Sequence, residues 1–214
     1  MLSKSQIIDL FYQLNSELSK RGIKGEVLMA GGASLSLVYD VRDSTKDIDA
    51  LFEPAAEIRD IVASLARTNE LEEDWLNDGV KGFIDTSKQE TEIFLSLSNL
   101  VVRTIDAEGL LALKLASSRS ESKDFADALV LTHYLEISSL DQLYELVERK
   151  IPSNQRTPRS NFFIQMVWSE YETSLQKPEV KETPADEIRD LKATKNGQVH
   201  TSRGAKAKDG RNAR

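Results

Sequence analysis

Ile7, Leu10, Phe11, Leu14 and Leu18 fall on one stripe of a 3.6-residue period, with polar residues between them. That spacing predicts an amphipathic first helix. Ser3-Lys4-Ser5-Gln6 has the capping-box spacing at its start, and Gly22 closes it. The pattern then changes period. A short buried strand is expected over about Glu26 to Ala30, and a helix over about Ala33 to Tyr39. A second strand is expected over about Asp47 to Phe52, and Pro54 opens another helix that buries Ile58, Ile61, Val62 and Leu65. Thr91 to Leu97 and Leu100 to Ile105 read as a strand pair around Ser98-Asn99. From Asp106 onward the periodicity is helical, with helices expected at 107–119, 122–136, 139–150 and 160–174. Strands in the first half and helices in the second predict an α+β unit: a small mixed β-sheet with flanking helices, then a C-terminal helical lobe. The expected division is a sheet-bearing core over 1–105, a helical lobe packed on it over 106–176, and a disordered basic tail over 177–214. Apolar content collapses in that tail, beyond Pro178 and Pro184, apart from a short helix near Ala185 to Leu191.

Length and composition narrow the chemistry. The 214 residues suffice for one domain with a real core. The absence of cysteine excludes disulfides and thiolate zinc sites and fits a reducing, cytoplasmic setting. Two histidines leave no room for a histidine-based zinc site or triad, and His133, beside Tyr134 on an apolar helix, reads as structural. The opening MLSKSQIIDLFYQL carries Asp9 and reads as an amphipathic helix, not a leader. No apolar run approaches the ~20 residues of a membrane span. Residues 192–214 hold seven Lys or Arg and one Asp, a net +6, so the overall −7 leaves −13 on residues 1–191. An acidic body argues against a broad nucleic-acid-binding face, while the tail either contacts phosphates or simply keeps the chain solvated.

The informative segment is LMAGGASLSLVYDVRDSTKDIDALF. Asp47 and Asp49 lie one residue apart on the expected second strand, where alternation puts i and i+2 on one face. Adjacent carboxylates repel unless a cation sits between them, and Mg²⁺ takes oxygen ligands while keeping positions open for phosphates. Gly31-Gly32, at the start of a helix, offers backbone N–H groups to a phosphate. Together these residues suit a metal-bound nucleoside triphosphate. Plainer roles stand beside these: the aspartates meeting solvent or pairing with Arg42 or Lys46, the glycines relieving backbone strain, and Ser34 either donating to a phosphate oxygen or capping the helix. Glu92, on the apolar strand TEIFLSL, is the candidate third metal carboxylate or an edge charge. No Walker-type Gly-x-x-x-x-Gly-Lys is present.

Glycine turn followed by Asp-x-Asp resembles the DNA polymerase β-like minimal nucleotidyltransferase superfamily. The chain is similar in particular to bacterial abortive-infection (AbiEii-type) toxin nucleotidyltransferases, and to a poorly characterised family with a Trp-Leu-Asn-Asp-x-x-Lys-Gly-Phe segment, here Trp75 to Phe83. That family also has a Leu-Leu-Ala-x-Lys-Leu helix, here Leu110 to Leu115, and an Asp-x-x-Asp helix, here Asp124 to Asp127. The resemblance covers roughly residues 5–150. It implies a nucleotidyltransferase core over 1–105 and a Mg²⁺ (or Mn²⁺) site at Asp47, Asp49 and Glu92. Nucleotide would bind at Gly31, Gly32, Ser34 and Lys114, with Asp47, Asp49, Lys114 and Asp127 catalytic. Lys114 would neutralise the triphosphate, and its removal would abolish transfer with the fold intact; the alternative is a lysine whose head merely reaches water. Asp127, more than Asp124, would face the site and position Lys114 or Arg119. Trp75, Asn77, Asp78 and Lys81 would hold base or sugar, or pack Trp75 into the core. The implied reaction moves a nucleoside monophosphate from an NTP to the hydroxyl of a tRNA end or a protein. The implied setting is a toxin–antitoxin or phage-defence system with a cognate antitoxin or operon partner and no membrane. The rival from another class is a non-catalytic, antitoxin-like or regulatory binding protein that keeps the fold. Small-molecule modification is a third reading.

Overall fold

The computed structural model describes residues 1–39, 43–117 and 122–176. Arg42, Arg119 and the whole basic tail 177–214, with the short helix expected in it, lie outside the described residues.

The first helix, α1 (Lys4–Lys20), forms where the apolar stripe placed it and buries Ile7, Leu10, Phe11, Leu14 and Leu18. Both capping-box bonds are made: Gln6 N–H donates to Ser3 Oγ at 3.3 Å, and Ser3 N–H donates to Gln6 Oε1 at 2.9 Å. At the other end Gly22 takes φ +67°. Ile23 N–H reaches back to Leu18 O at 2.9 Å and Gly22 N–H to Ser19 O at 3.0 Å, the paired bonds of a Schellman stop.

The sheet strands follow: β2 (Gly25–Met29), β4 (Ile48–Glu53), β5 (Leu76–Asn77), β6 (Thr91–Ser96) and β7 (Leu100–Ile105), in spatial order β5-β4-β2-β7-β6. The sheet is mixed. β2 runs antiparallel to β4 and parallel to β7, β4 is parallel to β5, and β6 and β7 form an antiparallel pair. Two-residue strands β1 (Leu2–Ser3) and β3 (Ser44–Thr45) pair separately. Helices α2 (Gly31–Leu37) and α3 (Ala55–Thr68) interleave with these strands. The chain then continues as α4 (Ala107–Ser117), α5 (Ser122–Tyr134), α6 (Leu140–Lys150) and α7 (Pro158–Gln176). The fold is therefore α+β with a small mixed sheet, as the periodicity predicted.

Three details differ from the sequence expectation. Helix α2 begins at Gly31, not Ala33, with Ala30 as its cap residue, so the glycines start the helix instead of preceding it. Pro54 is the cap residue of α3 and lies outside it. The Trp75 segment, for which no strand was expected, contributes one. Its indole is buried, Trp75 Nε1 donates to Val62 O at 3.2 Å, and Ile48 N–H donates to Trp75 O at 2.7 Å. Packing Trp75 under α3 thus lays Leu76–Asn77 alongside β4.

Burial sorts into two clusters. One lies between α1, α3 and the sheet face carrying Val27, Met29, Ile48, Ala50 and Val102. The other gathers α4–α7 with Ile84, Leu35 and Ile105, and Leu28 and Leu51 of the opposite sheet face pack against it. The strand ends bearing the glycine turn and Asp49 lie at the boundary of the two clusters.

Candidate active site

Gly31 takes φ +62°, a conformation open to glycine at little cost. A Cβ there would stand 3.2 Å from Asp49 Oδ2. Ala30 N–H donates to Asp49 O at 2.8 Å, which carries the β2–β4 ladder one step further and brings the glycine onto the aspartate. The Gly-Gly turn and the Asp-x-Asp strand are thus in direct contact. Asp47 sits immediately before β4, and Asp49 lies within it; both are half-buried. Ile48 between them is fully buried in the α1–α3 core.

Lys114 on α4 meets α5 through two carboxylates. Its Nζ lies 2.5 Å from Asp124 Oδ1 and 2.9 Å from Asp127 Oδ2, with side-chain exposures of 15%, 16% and 3%. A lysine reaching for bulk water would not be held this way. Asp124 and Asp127 are one helical turn apart, so one face of α5 grips a single ammonium. Asp124, not Asp127, lies on the adjoining cleft, and Asp127 is buried behind it.

That cleft has a volume of about 480 Å³. Ala30 and Gly31 from the strand end, Lys114 and Asp124 from the ion triad, and Leu110 and Leu113 from α4 line it. Val80, Phe83 and Ile84 come from the segment after β5, and Ile151, Asn154 and Gln155 from the turn after α6. A second groove of about 600 Å³ crosses the sheet face of Leu28 and Leu51 and shares Ile84 with the first. It is lined with charge: Glu26, Glu53, Asp78, Lys81 and Arg103. Within it Arg103 Nε lies 2.7 Å from Glu26. Asp78 accepts from Arg59, whose guanidinium holds the Asp78 carboxyl below its usual range.

The structure therefore joins Gly31 to Asp49 and seats Gly31 and Lys114 on one cleft. It leaves other expected residues elsewhere. Ser34 lies inside α2, fully buried, with its Oγ unpartnered, so it neither caps the helix nor reaches the cleft surface. Gly32 follows Gly31 in α2 but does not line the cleft. Glu92 sits on edge strand β6. Its cross-strand row runs Glu92–Thr104–Met29–Ala50, three strands from β4, roughly 14 Å at the usual spacing. Ala50 also faces the side opposite to Asp49, so Glu92 is not brought to the aspartates. Among the described residues no three His, Cys, Asp or Glu side chains gather closely enough to cage a metal ion. His133 is exposed; its Nε2 lies 3.0 Å from Ser174 Oγ and its ring packs edge-on to Tyr171. From the Trp75 segment it is Val80 and Phe83, followed by Ile84 just beyond it, that line the cleft, while Trp75 packs in the core and Asp78 and Lys81 line the groove. Asn154 and Gln155 carry no motif, and nothing in the one-dimensional pattern marks them.

No described helix is long and apolar enough to cross a membrane. No curated protein and no solved structure matches the chain. Over residues 5–176, however, the chain matches the sequence family described as nucleotidyltransferase of unknown function (DUF6036). That span takes in the glycine turn, the aspartate strand, the cleft and the lysine triad, and the chain belongs to this nucleotidyltransferase family.

Proposed function

We propose that this chain is a Mg²⁺-dependent nucleotidyltransferase that moves a nucleoside monophosphate from an NTP to an acceptor hydroxyl. The observation that carries the reading is the contact of Asp49 with Gly31 at the edge of a cleft that also presents Lys114. The donor set fits the metal. Mg²⁺ is commonly held by one or two carboxylates and completed by water and substrate phosphates, so a pair such as Asp47 and Asp49 suffices without a protein cage. Bound there, it would supply Lewis-acid stabilisation of the transferring phosphoryl group. The protein's own charges call for such help. Lys114 is already engaged by Asp124 and Asp127, and Asp49 adds a further carboxylate beside Gly31, so a cation on the aspartate strand would favour the approach of a triphosphate. Gly31, lacking a Cβ, lets a phosphate approach the backbone beside Asp49. Asp124 and Asp127 act as positioning residues that fix Lys114 for charge stabilisation on the cleft wall. The sheet half would be the catalytic core and the α4–α7 half the lobe that closes the nucleotide cleft. The charged groove meeting the cleft at Ile84 is the approach for the acceptor.

By the family likeness, the acceptor is a tRNA end or a protein, and the setting a toxin–antitoxin or phage-defence pair, close to the AbiEii type. Incubation with labelled NTPs, Mg²⁺, tRNA and protein, read by mass spectrometry, tests it. A nucleotide-sized mass gain that disappears in Asp49→Asn supports the reading, and no gain on either acceptor class refutes it. The separation of Glu92 from the aspartate strand favours a second reading, a non-catalytic binding protein that keeps the fold. That protein would bind NTP in calorimetry and transfer nothing in this assay.

A further inference from the structure

Two sets of side chains of different chemistry line the cleft. Lys114 and Asp124, which line it with the bare backbone of Gly31, are the charged set; Phe83, Asn154 and Gln155 belong to another. Phe83 is 61% exposed although its neighbour Ile84 is buried. Its backbone is pinned by a turn, with Phe83 N–H donating to Val80 O at 2.9 Å. An aromatic ring held at a cleft wall by an anchored turn is not explained by packing, because it buries so little of itself. It offers a flat π-face to a cleft that the apolar side chains of Leu113 and Ile151 also line, the environment a nucleobase occupies when stacked on protein. Gln155 reaches the same turn: its Nε2 makes a long contact, 3.5 Å, with Gly82 O. Asn154 is exposed on the cleft wall beside it. A primary amide presents donor and acceptor together, which matches the paired donor and acceptor on a base edge.

We infer that Phe83 is the stacking platform for the nucleobase and that Asn154 and Gln155 read its edge, so this cleft selects among NTPs by base. The inference rests on the nucleotidyltransferase reading and goes further by naming what sets substrate preference. Phosphates would lie toward Gly31 and Lys114, and the base toward the Phe83 turn.

Calorimetry with Mg²⁺ and each of ATP, GTP, CTP, UTP and tripolyphosphate separates the two sets. Phe83→Ala should weaken NTP binding by about ten-fold, leave tripolyphosphate unchanged, and be rescued by Phe83→Trp. Asn154→Asp, which exchanges donors for acceptors at constant shape, should reorder the four NTPs instead of weakening all alike. Because Phe83 and Asn154 are exposed, neither substitution threatens folding, which circular dichroism checks. Equal losses for NTP and tripolyphosphate in Phe83→Ala, or an unchanged order in Asn154→Asp, would overturn the inference. So would a parent protein that binds tripolyphosphate as tightly as every NTP, although the phosphate site would then stand. A parent that binds none of the five overturns the nucleotidyltransferase reading itself.

Discussion

Truncating Lys114 to alanine removes the ammonium that lies 2.5 Å from Asp124 and 2.9 Å from Asp127. The three side chains are 15%, 16% and 3% exposed, so water can do little to screen the charges left behind. Breaking a buried ion pair by deleting one partner typically costs about 3–5 kcal/mol, mostly from the uncompensated charge that remains. The access of Asp124 to the cleft places this case at the lower end, about 3 kcal/mol. For a chain of this size, each kcal/mol moves Tm by roughly 2–4 °C, so Lys114→Ala should melt about 6–12 °C below the parent. Urea unfolding followed by circular dichroism should show a lower midpoint at unchanged slope. The triple variant Lys114→Met, Asp124→Asn, Asp127→Asn should recover most of the loss, because it removes the charges together. Lys114→Arg should stay near parental stability yet transfer poorly, since a planar guanidinium does not replace a point charge at a fixed position. The sequence alone predicts that losing Lys114 leaves the fold intact; the triad ties the residue to the fold as well as to the cleft. If Lys114→Ala unfolds within about 0.5 kcal/mol of the parent, the buried triad is wrong.

Two further outcomes follow from local geometry. Gly31→Ala should cost about 1–2 kcal/mol from backbone strain alone and should also displace Asp49 and lose nucleotide binding. Gly22→Ala, with a similar φ of +67° but open space around it, should show the strain without the binding loss; equal binding losses in both would remove Gly31 from the site. Tyr39 packs edge-on to Tyr134 at 5.3 Å, and burial first, then the charges of Glu92 and Asp106, push its hydroxyl from 10.0 up to about 12. A phenol whose pKa is raised by folding stabilises the folded state fully below its unfolded pKa. That contribution is lost as pH rises through about 12, so the parent should lose stability above pH 10 faster than Tyr39→Phe. Tyrosinate absorbance should show the last phenol step vanish in Tyr39→Phe; an unchanged alkaline curve would contradict the burial.

Much of the fold follows from local rules acting on neighbouring residues. The α1 stripe, its Ser3–Gln6 box and its Gly22 stop involve contacts within one helix, and each appears as a sequence pattern. Gly31, Asp49 and Lys114 were legible because a short run of special residue types marks them. For Glu92 the linear pattern left a metal role and an edge charge both open, for a physical reason. Its strand was predicted correctly, but strand order depends on long-range pairing, and two strands, β2 and β7, intervene between it and β4. Trp75 hid a strand because a two-residue element held by one buried indole has no periodicity. The family likeness pointed to Asp127 as the partner of Lys114, and only the packing of α5 on α4 shows that Asp124 shares the lysine with it. Phe83, Asn154 and Gln155 come from two segments brought together by the tertiary fold, so no linear pattern announces their cleft.

The central claim is that Asp49, seated on Gly31, holds the metal that brings a nucleotide to this cleft. Titration of NTP into the protein by calorimetry, with Mg²⁺ and then with chelator, tests it most directly when parent and Asp49→Asn are compared. The account predicts binding in the parent with Mg²⁺, none with chelator, and none in Asp49→Asn at either condition, while that variant melts as a folded protein. Binding that persists in Asp49→Asn, or in the parent without divalent metal, would contradict it.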